Sequence, residues 1–218
     1  MTHRDTWNLL ILGAGGHGRV VADVVRACGH VVAGYVDRDA SKLHSVVEPG
    51  GAKVEVLQKD LDPDALPHAV DALVHGVGAN AARASLDELF YEWIAPALVH
   101  PSAIVSPSAA VGAGTVVMPR AVLHPSARVG RSVIVNTGAI IEHDCEVGDH
   151  AHLSPGAVLC GVVTVGPRAW VGAGAVVLPG VVLGQDVVVG AGAVVLRDVP
   201  AGATVVGNPA RALKQQDP

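Results

Sequence analysis

The fold is decided by residues 135–171, which read VNTGAIIEHDCEVGDHAHLSPGAVLCGVVTVGPRAWV. Every sixth residue of this stretch is aliphatic, and the same step holds from Val99 to Val195, where seventeen aliphatic residues follow one another without a slip. Four places after each of them stands Ala, Val, Thr or Cys. This period predicts a parallel β-helix of hexapeptide repeats, in which three hexads close one triangular coil and the aliphatic side chains form an inner ladder.

The composition fits a narrow prism. Half of the 218 residues are hydrophobic but only 3% are aromatic, as expected where the interior has room for Val and Leu and little for Phe. Glycine often follows the inward aliphatic residue directly, and we expect a positive φ at these corners. The glycines concerned are Gly112, Gly130, Gly148, Gly166, Gly172, Gly184 and Gly190.

Residues before Pro96 have a different pattern. A short apolar run at residues 7–12 ends in a glycine loop, and helical spacing follows over residues 20–27 with Gly29 as the predicted helix stop. Residues 31–36 and 72–77 predict two more strands, the second followed by a helix that extends towards Trp93. Alternating strands and helices predict a parallel sheet. We therefore predict two domains, a small Rossmann-like α/β domain over residues 1–96 and the β-helix over residues 97–218.

The glycine loop between the first strand and helix suits a phosphate ligand. Gly13, Gly15 and Gly18 have the G-x-G-x-x-G spacing, where backbone N–H groups and the helix dipole can hold a diphosphate. Asp37, at the end of the next strand, could accept a ribose hydroxyl. Because about ninety residues are too few for both mononucleotide-binding halves, a sugar-linked nucleoside diphosphate fits better than a dinucleotide. Alternatively, the glycines serve only a tight turn.

Charge and cysteine content exclude several classes of partner. The net charge is −5, so no broad basic field is available for nucleic acid or an anionic membrane. The longest uncharged stretch, residues 169–185, is interrupted by Gly and Pro, and no charged-then-apolar leader begins the chain. Three cysteines without metal-ligand spacing fit a reducing compartment. These features predict a cytoplasmic protein.

The hexad phase sorts side chains into inward and outward. Cys145 occupies an inward position and is expected to be a buried thiol, whereas His143, Asp144 and Asn136 point outward. An exposed His beside an Asp can act as a general base, although a β-helix surface also carries polar residues without function. His152 is nine residues after His143, on the opposite side of the prism, so the two can meet only across a subunit interface.

That arrangement favours a cyclic homotrimer with active sites between subunits. Trp170 follows His152 by eighteen residues, one full coil, and is expected to stack on it, either in an interface or against a ligand.

The run NTGAIIEHDCEVGDHAH, residues 136–152, resembles the hexapeptide-repeat nucleotide-sugar acetyltransferases. This family includes the bacillosamine-pathway and perosamine N-acetyltransferases and the sialic acid O-acetyltransferase-like proteins. The resemblance covers almost the whole chain, because these proteins also begin with a Rossmann-like domain carrying a Gly-Gly-His-Gly loop, here residues 15–18. It implies that the coils of the β-helix turn left-handed.

The resemblance also implies roles for individual residues. His143 matches the catalytic base, and Asp144 matches the acidic residue that increases its basicity, for which the family most resembled has Glu. His152 matches the histidine that contacts acetyl-coenzyme A near the thioester. Ala173 and Ala191 match positions whose backbone lines the pantetheine and nucleotide channel.

On the substrate side, the resemblance places the nucleotide sugar at the glycine loop and after the second strand. The residues expected to bind it are Gly15, Gly16, His17, Asp37, Arg38, Gly78 and Asn136. Arg38 departs from the family, which often has two acidic residues here, and the nucleotide is left open as UDP, GDP or dTDP. The segment ending in Arg211 resembles the final loop near the coenzyme phosphates, where this arginine is a weak candidate.

The implied reaction is acetyl transfer from acetyl-coenzyme A to the amine of a nucleotide-linked 4-amino-4,6-dideoxy sugar, directly and without a metal. Three alternatives remain. A sugar O-acetyltransferase would use the same base, and a nucleotide-sugar-binding module would use none. A metal-dependent hydratase resembling the γ-type carbonic anhydrases would need convergent ligands, and the candidate histidines lack the required spacing. Those histidines are His124, His143, His150 and His152.

Overall fold

The computed structural model describes residues 6–47, 56–58 and 69–213. The first domain contains β1 (Asn8–Leu12), α1 (Gly16–Ala27), β2 (Val31–Val36), β3 (Val56–Gln58), β4 (Ala72–His75) and α2 (Asn80–Leu89). Short 3-10 turns cover Ala40–Lys42 and Tyr91–Trp93. The strands form a parallel sheet of order β3-β2-β1-β4, so the predicted sheet is confirmed, with the short edge strand β3 as an addition.

Alternate residues of β1 fix the layers around this sheet. Leu9 and Ile11 pack with the buried face of α1, whereas Leu10 and Leu12 pack with Phe90 and other residues beyond α2. Helix α1 ends at Ala27, and the chain turns at Gly29 with a φ of 81°, as predicted. The carboxyl ends of the strands and the amino end of α1 therefore meet at one edge of the sheet, beside the glycine loop.

The β-helix has three flat faces that the chain visits in turn. The first face contains β5 (Leu98–Val99), β8 (Val116–Val117), β11 (Ile134–Val135), β14 (His152–Leu153), β17 (Trp170–Val171), β20 (Val188–Val189), β22 (Thr204–Val206) and the antiparallel β23 (Arg211–Ala212). The second contains β6 (Ile104–Val105), β9 (Val122–Leu123), β12 (Ile140–Ile141), β15 (Val158–Leu159), β18 (Val176–Val177) and β21 (Val194–Val195). The third contains β7 (Ala110–Val111), β10 (Arg128–Val129), β13 (Glu146–Val147), β16 (Thr164–Val165) and β19 (Val182–Leu183). The architecture is the predicted left-handed β-helix.

The register confirms eighteen residues per coil, since Ile134 pairs with His152 and Ile140 with Val158. The inward aliphatic residues from Val117 to Val195 are all buried. Val99 is 36% exposed, because the first coil has no coil beneath it.

The expected positive φ at the seven glycines is wrong. None of them is left-handed; the left-handed residue lies two places later, at every hexad from Gly114 to Gly192. The seven glycines serve close approach between coils instead. A Cβ on Gly172 would stand 2.6 Å from the backbone nitrogen of Ala191, and one on Gly148 would stand 2.7 Å from that of Pro167. Stacking, and not the local turn, therefore requires glycine there.

The three faces differ on the outside. On the first face, Leu98 and Val116 are buried in the core of the α/β domain, which covers the early coils. The outward positions of the third face include exposed Arg128 and Glu146. The outward positions of the second face are all aliphatic, and they are Ile104, Val122, Ile140, Val158, Val176 and Val194. The second face is thus an apolar sheet surface that the described residues of this chain leave uncovered.

Helix α2 joins the two domains through a buried carboxylate. Asp87 accepts hydrogen bonds from Ser132 and Arg131 and contacts the ring nitrogens of His150 and His75. Burial alone would raise the pKa of Asp87, but these hydrogen bonds outweigh it and hold the pKa well below its usual range. The folded state therefore favours the ionised carboxylate.

We expect Asp87→Asn to lower the free energy of unfolding by about 3 kcal/mol at pH 7, because it leaves Arg131 without its buried partner. Since the folded pKa is depressed, this stabilisation is present above about pH 4 and is lost as the pH falls further. Urea unfolding of both proteins at pH 7 and pH 3.5 measures it. A difference that does not shrink at the lower pH would contradict the assignment.

No helix in the described part of the chain is long and apolar enough to cross a membrane.

Candidate active site

His143 and Asp144 lie at the corner between the second and third faces. Asp144 has a left-handed φ of 58°, which Asp tolerates better than most residues. His143 Nδ1 lies 2.8 Å from Asp144 Oδ2, and because an ionised carboxylate only accepts, Nδ1 is the donor. Nε2 is then left with a lone pair, and the imidazole is 57% exposed. In this arrangement Nε2 can accept a proton from a ligand.

Gly161 makes room for this imidazole. It follows His143 by eighteen residues, and a Cβ there would stand 2.5 Å from His143 Nε2. The sequence reasoning missed this residue, although the eighteen-residue step would have found it.

His152 lies outward on β14, and its tautomer is fixed by Asn136. The Asn136 Oδ1 accepts from the Thr137 backbone N–H, so its Nδ2 faces His152 Nε2 at 3.1 Å. An amide nitrogen only donates; Nε2 therefore accepts and the proton is on Nδ1. Burial, together with the nearby Arg83 and His17, lowers the pKa of His152 to about 4. His152 is a neutral imidazole with an N–H to donate.

Trp170 stacks on His152 as predicted, with ring centroids 6.1 Å apart and planes 11° apart. Its indole N–H donates to Ser154 Oγ, and the residue is 48% exposed. On the other side, the His17 ring lies 6.4 Å from that of His152. The structure thus brings the glycine loop next to His152 within one chain, which the sequence reasoning did not predict.

The glycine loop is shaped for close backbone approach. A Cβ on Gly18 would overlap the Gly13 carbonyl oxygen, whereas Gly15 faces open space at the amino end of α1. Gly16 begins this helix, and its first turn contains no acidic residue. The buried Nε2 of His17 has no hydrogen-bond partner among the described residues. Burial, followed by the charge of Arg83, lowers the pKa of His17 to about 4. The loop is therefore compatible with an anionic ligand.

A cleft of about 410 Å³ adjoins this loop at the carboxyl edge of the sheet. Its lining includes Leu12, Asp37, Arg38, Val77 and Phe90. The exposed Arg38 lies at its rim, and the apolar residues form its floor. These dimensions and this lining suit a nucleoside.

Asp37 is more constrained than the sequence suggests. Its Oδ2 accepts from the Ala14 N–H and from Lys42 Nζ, and its Oδ1 accepts from the Asp39 N–H. Partial burial would raise its pKa, but the hydrogen bonds from Lys42, Asp39 and Ala14 lower it below the usual range. Asp37 therefore shapes the glycine loop. Among the described residues only the Asp39 N–H donates to Oδ1, so this oxygen can accept a further hydrogen bond.

The other predicted residues lie elsewhere. Gly78 faces open space just before α2, and its carbonyl accepts from Arg83. Ala173 and Ala191 are exposed at the corner between the first and second faces, each followed by a left-handed glycine. Arg211 lies on β23 and bonds only the neighbouring Ala210 carbonyl among the hydrogen bonds described. The structure therefore places the main candidates in three groups on one chain. His143 and Asp144 lie at one corner of the β-helix, and Ala173 and Ala191 lie at another. The glycine loop and the cleft lie beside His152 on the first face.

Cys145 is buried, donates to the Cys160 carbonyl, and has a pKa raised chiefly by burial, as expected for an inert thiol.

Within the described ranges, no group of three or more His, Cys, Asp or Glu residues converges on a metal-sized site. His124 contacts Glu142, and His150 contacts Asp87, so the histidines considered for a hydratase are dispersed.

Comparison with known proteins gives matches to both halves. Residues 8–89 match the family described as the PglD N-terminal domain, and residues 163–197 match the bacterial transferase hexapeptide repeats. The structure of PerB from Caulobacter crescentus with CoA and GDP-perosamine is 38% identical, with a TM-score of 0.86 over 95% of this chain and 97% of that one. The acetyltransferase domain of PglB from Neisseria gonorrhoeae with acetyl coenzyme A is 37% identical, with a TM-score of 0.85 over 97% and 100%.

A curated relative, UDP-N-acetylbacillosamine N-acetyltransferase of Bacillus subtilis, is 38% identical over 118 residues. This match spans about half of each protein, 51% of this chain and 51% of the relative.

Proposed function

Because this chain belongs to the hexapeptide-repeat nucleotide-sugar N-acetyltransferases, we propose that it transfers the acetyl group of acetyl-coenzyme A to the amine of a nucleotide-linked 4-amino-4,6-dideoxy sugar. The observation that carries the proposal is the exposed pair of His143 and Asp144 in a chain that aligns over nearly its full length with a protein bound to CoA and GDP-perosamine. The substrate-binding α/β domain comprises residues 1–96 and the acetyltransfer domain residues 97–218.

In this reaction the sugar amine attacks the thioester carbonyl while His143 Nε2 takes its proton. Asp144 orients the imidazole and stabilises the imidazolium. The neutral His152 donates its Nδ1 proton in a hydrogen bond to the developing oxyanion. The C–S bond then breaks, and the coenzyme thiolate takes the proton from His143. The products are the N-acetyl sugar and free coenzyme A.

The active site requires two chains. His143 lies on one corner of the prism and His152 on the outward side of the first face, so the body of one chain separates them. A homotrimer with the apolar second faces turned towards the threefold axis removes the separation. The corner carrying His143 then meets the neighbour's corner carrying Ala173 and Ala191, and the neighbour's first face forms the opposite wall. The coenzyme lies in this groove.

The nucleotide binds the α/β domain, with its diphosphate at Gly15, Gly16 and His17 and its nucleoside in the cleft beside Asp37 and Arg38. Gly78 and Asn136 line the path from this cleft towards His152. Binding energy from the remote nucleotide positions the sugar amine for transfer.

We expect His152→Ala to raise the KM for acetyl-coenzyme A and to lower kcat by roughly 10²-fold, the effect of losing one oxyanion donor. The KM for the nucleotide sugar should change little. Because the pKa of His152 is about 4, the pH profile of the wild type between pH 5 and 8 should not contain its titration. Steady-state kinetics with each substrate varied measures both constants. Unchanged coenzyme kinetics would contradict the role.

The proposed function is tested by incubating the purified protein with acetyl-coenzyme A and UDP-, GDP- or dTDP-linked 4-amino sugars and measuring coenzyme A release. We expect release with at least one amino sugar and none with its 4-hydroxy analogue. Release with the hydroxy analogue alone would mean O-acetylation, and no release with any amino sugar would overturn the proposal.

A further inference from the structure

Arg83 of α2 is the largest fully buried side chain in the described part of the molecule, and its guanidinium connects the two domains. On the side of the α/β domain, Nη1 donates to the carbonyls of Val77 and Gly78 at 3.2 and 3.1 Å, and Nη2 donates to Asn80 Oδ1 at 2.9 Å. Val77 lines the nucleotide cleft, so this side of the guanidinium holds the cleft wall.

On the side of the β-helix, the same group reaches two successive coils. Nε donates to the Ser132 carbonyl at 2.7 Å, and Nη2 donates to the carbonyls of His150 and Ala151 at 2.6 and 3.1 Å. Ala151 directly precedes His152 on β14. One rigid planar group therefore spans from the cleft wall to the strand that carries the proposed oxyanion donor.

The acceptors of Arg83 indicate that its role is geometric. All of those described are carbonyl oxygens, so no carboxylate in the described part of the chain makes a direct hydrogen bond to this buried cation. Burial lowers its pKa to about 10, which still leaves it charged near neutral pH. A buried charge is costly unless it is fully hydrogen-bonded. The planar guanidinium of arginine holds its N–H donors in fixed directions and meets six acceptors here, whereas the flexible ammonium of lysine has only three donors.

We propose that Arg83 is a positioning residue for acetyl transfer, which holds the nucleotide cleft at a fixed distance from His152. This inference rests on the proposed function, because it matters only if both sites serve one reaction. By joining the cleft wall to β14, Arg83 fixes where the sugar amine lies relative to the thioester.

The charge of Arg83 also acts on the site. It faces His17 and His152 and contributes to the low pKa of each, after burial. The negative charge of Asp87, on the same helix, acts to raise the pKa of Arg83. Arg83→Lys keeps the positive charge but removes the planar guanidinium. It therefore separates the geometric effect of Arg83 from its electrostatic effect.

For Arg83→Lys we expect kcat to fall by about 10²-fold, the cost of misplacing reactants by about 1 Å. The pH profile should keep its shape, because the charge remains. Dissociation constants for free coenzyme A and for the free nucleoside diphosphate of the substrate, each measured by calorimetry, should stay within a factor of about three. A merely structural role would instead weaken both binary complexes together with thermal stability.

Arg131→Ala is the matched control. Arg131 also crosses the domain interface, through Asp87 and the Tyr91 carbonyl, but its side chain makes no hydrogen bond to the cleft residues or to β14 in the described part of the chain. We expect this variant to lose thermal stability and to keep kcat within a factor of about three. A kcat loss equal to that of Arg83→Lys, or an Arg83→Lys enzyme with wild-type kcat, would overturn the inference.

A second readout needs no turnover. Hydrogen exchange should be at least about tenfold faster in Arg83→Lys than in the wild type at residues 77–80 and 151–153, and unchanged there in Arg131→Ala. If the wild type transfers no acetyl group to any amino sugar, the proposed function fails, and this exchange pattern alone decides whether Arg83 joins the two sites. Equal exchange in all three proteins would show that it does not.

Discussion

Replacing His143 by Ala is expected to lower kcat by on the order of 10²–10⁴-fold while leaving the assembly and both binding sites intact. The imidazole is exposed at a corner, its hydrogen-bond partner is Asp144, and it supports no buried core. Loss of the ring therefore removes a proton acceptor without opening a cavity. Steady-state kinetics measures kcat, and sedimentation velocity on the same preparation measures the assembly.

His124→Ala is the matched control, because His124 is also a partly exposed histidine beside an acidic residue, Glu142, on the coil below. It should retain wild-type turnover. Near wild-type kcat in the His143 variant would remove the base assignment, as would an equal loss in the His124 variant.

A charge on the second face is expected to abolish both assembly and activity. Val158 is in the middle of the aliphatic ladder, on β15, and Val158→Lys would place an unpaired ammonium in the proposed trimer contact. We expect a monomer in sedimentation velocity and a loss of turnover of on the order of 10²-fold or more, because a monomer cannot bring the reacting groups together. Val31→Lys, an exposed valine at the amino end of β2 and away from the cleft, is the matched control and should remain trimeric and active.

The same hypothesis is tested by coexpression of His143→Ala chains with His152→Ala chains. If each site takes His143 from one chain and His152 from its neighbour, mixed trimers contain some intact sites, and turnover at low acetyl-coenzyme A should exceed that of either variant alone. No gain on mixing, or an active Val158→Lys monomer, would place both histidines of a site in one chain.

Periodicity predicted most of the β-helix because the inward position repeats without exception. It identified Cys145 as buried and the stacking of Trp170 on His152, since both depend only on counting residues. It failed for the left-handed positions, which are occupied by Val162, Arg168 and other non-glycine residues more often than by glycine. There the stacked coils impose the backbone conformation, and the local sequence does not specify it.

The domain interface was beyond the reach of the sequence for a related reason. Arg83 and Asp87 lie four residues apart on a helix, where charged residues usually mark a solvated face. Their burial depends on carbonyls and side chains 44 to 68 residues further along the chain. The proximity of His17 to His152 likewise follows from how the two domains dock, which no local pattern encodes.

The six-residue and eighteen-residue periods of the β-helix restrict insertions and deletions in different ways. Inserting or deleting one hexad keeps every inward residue inward, so the core can still form, but each later side chain moves to the next face. A hexad lost between His143 and His152 would carry the histidine and Trp170 away from the α/β domain. A whole coil of eighteen residues preserves the faces and lengthens the groove by one strand spacing, about 4.8 Å. Folding tolerates length changes in sixes, whereas the active site tolerates them only in eighteens, and new groove lengths are therefore gained one complete coil at a time.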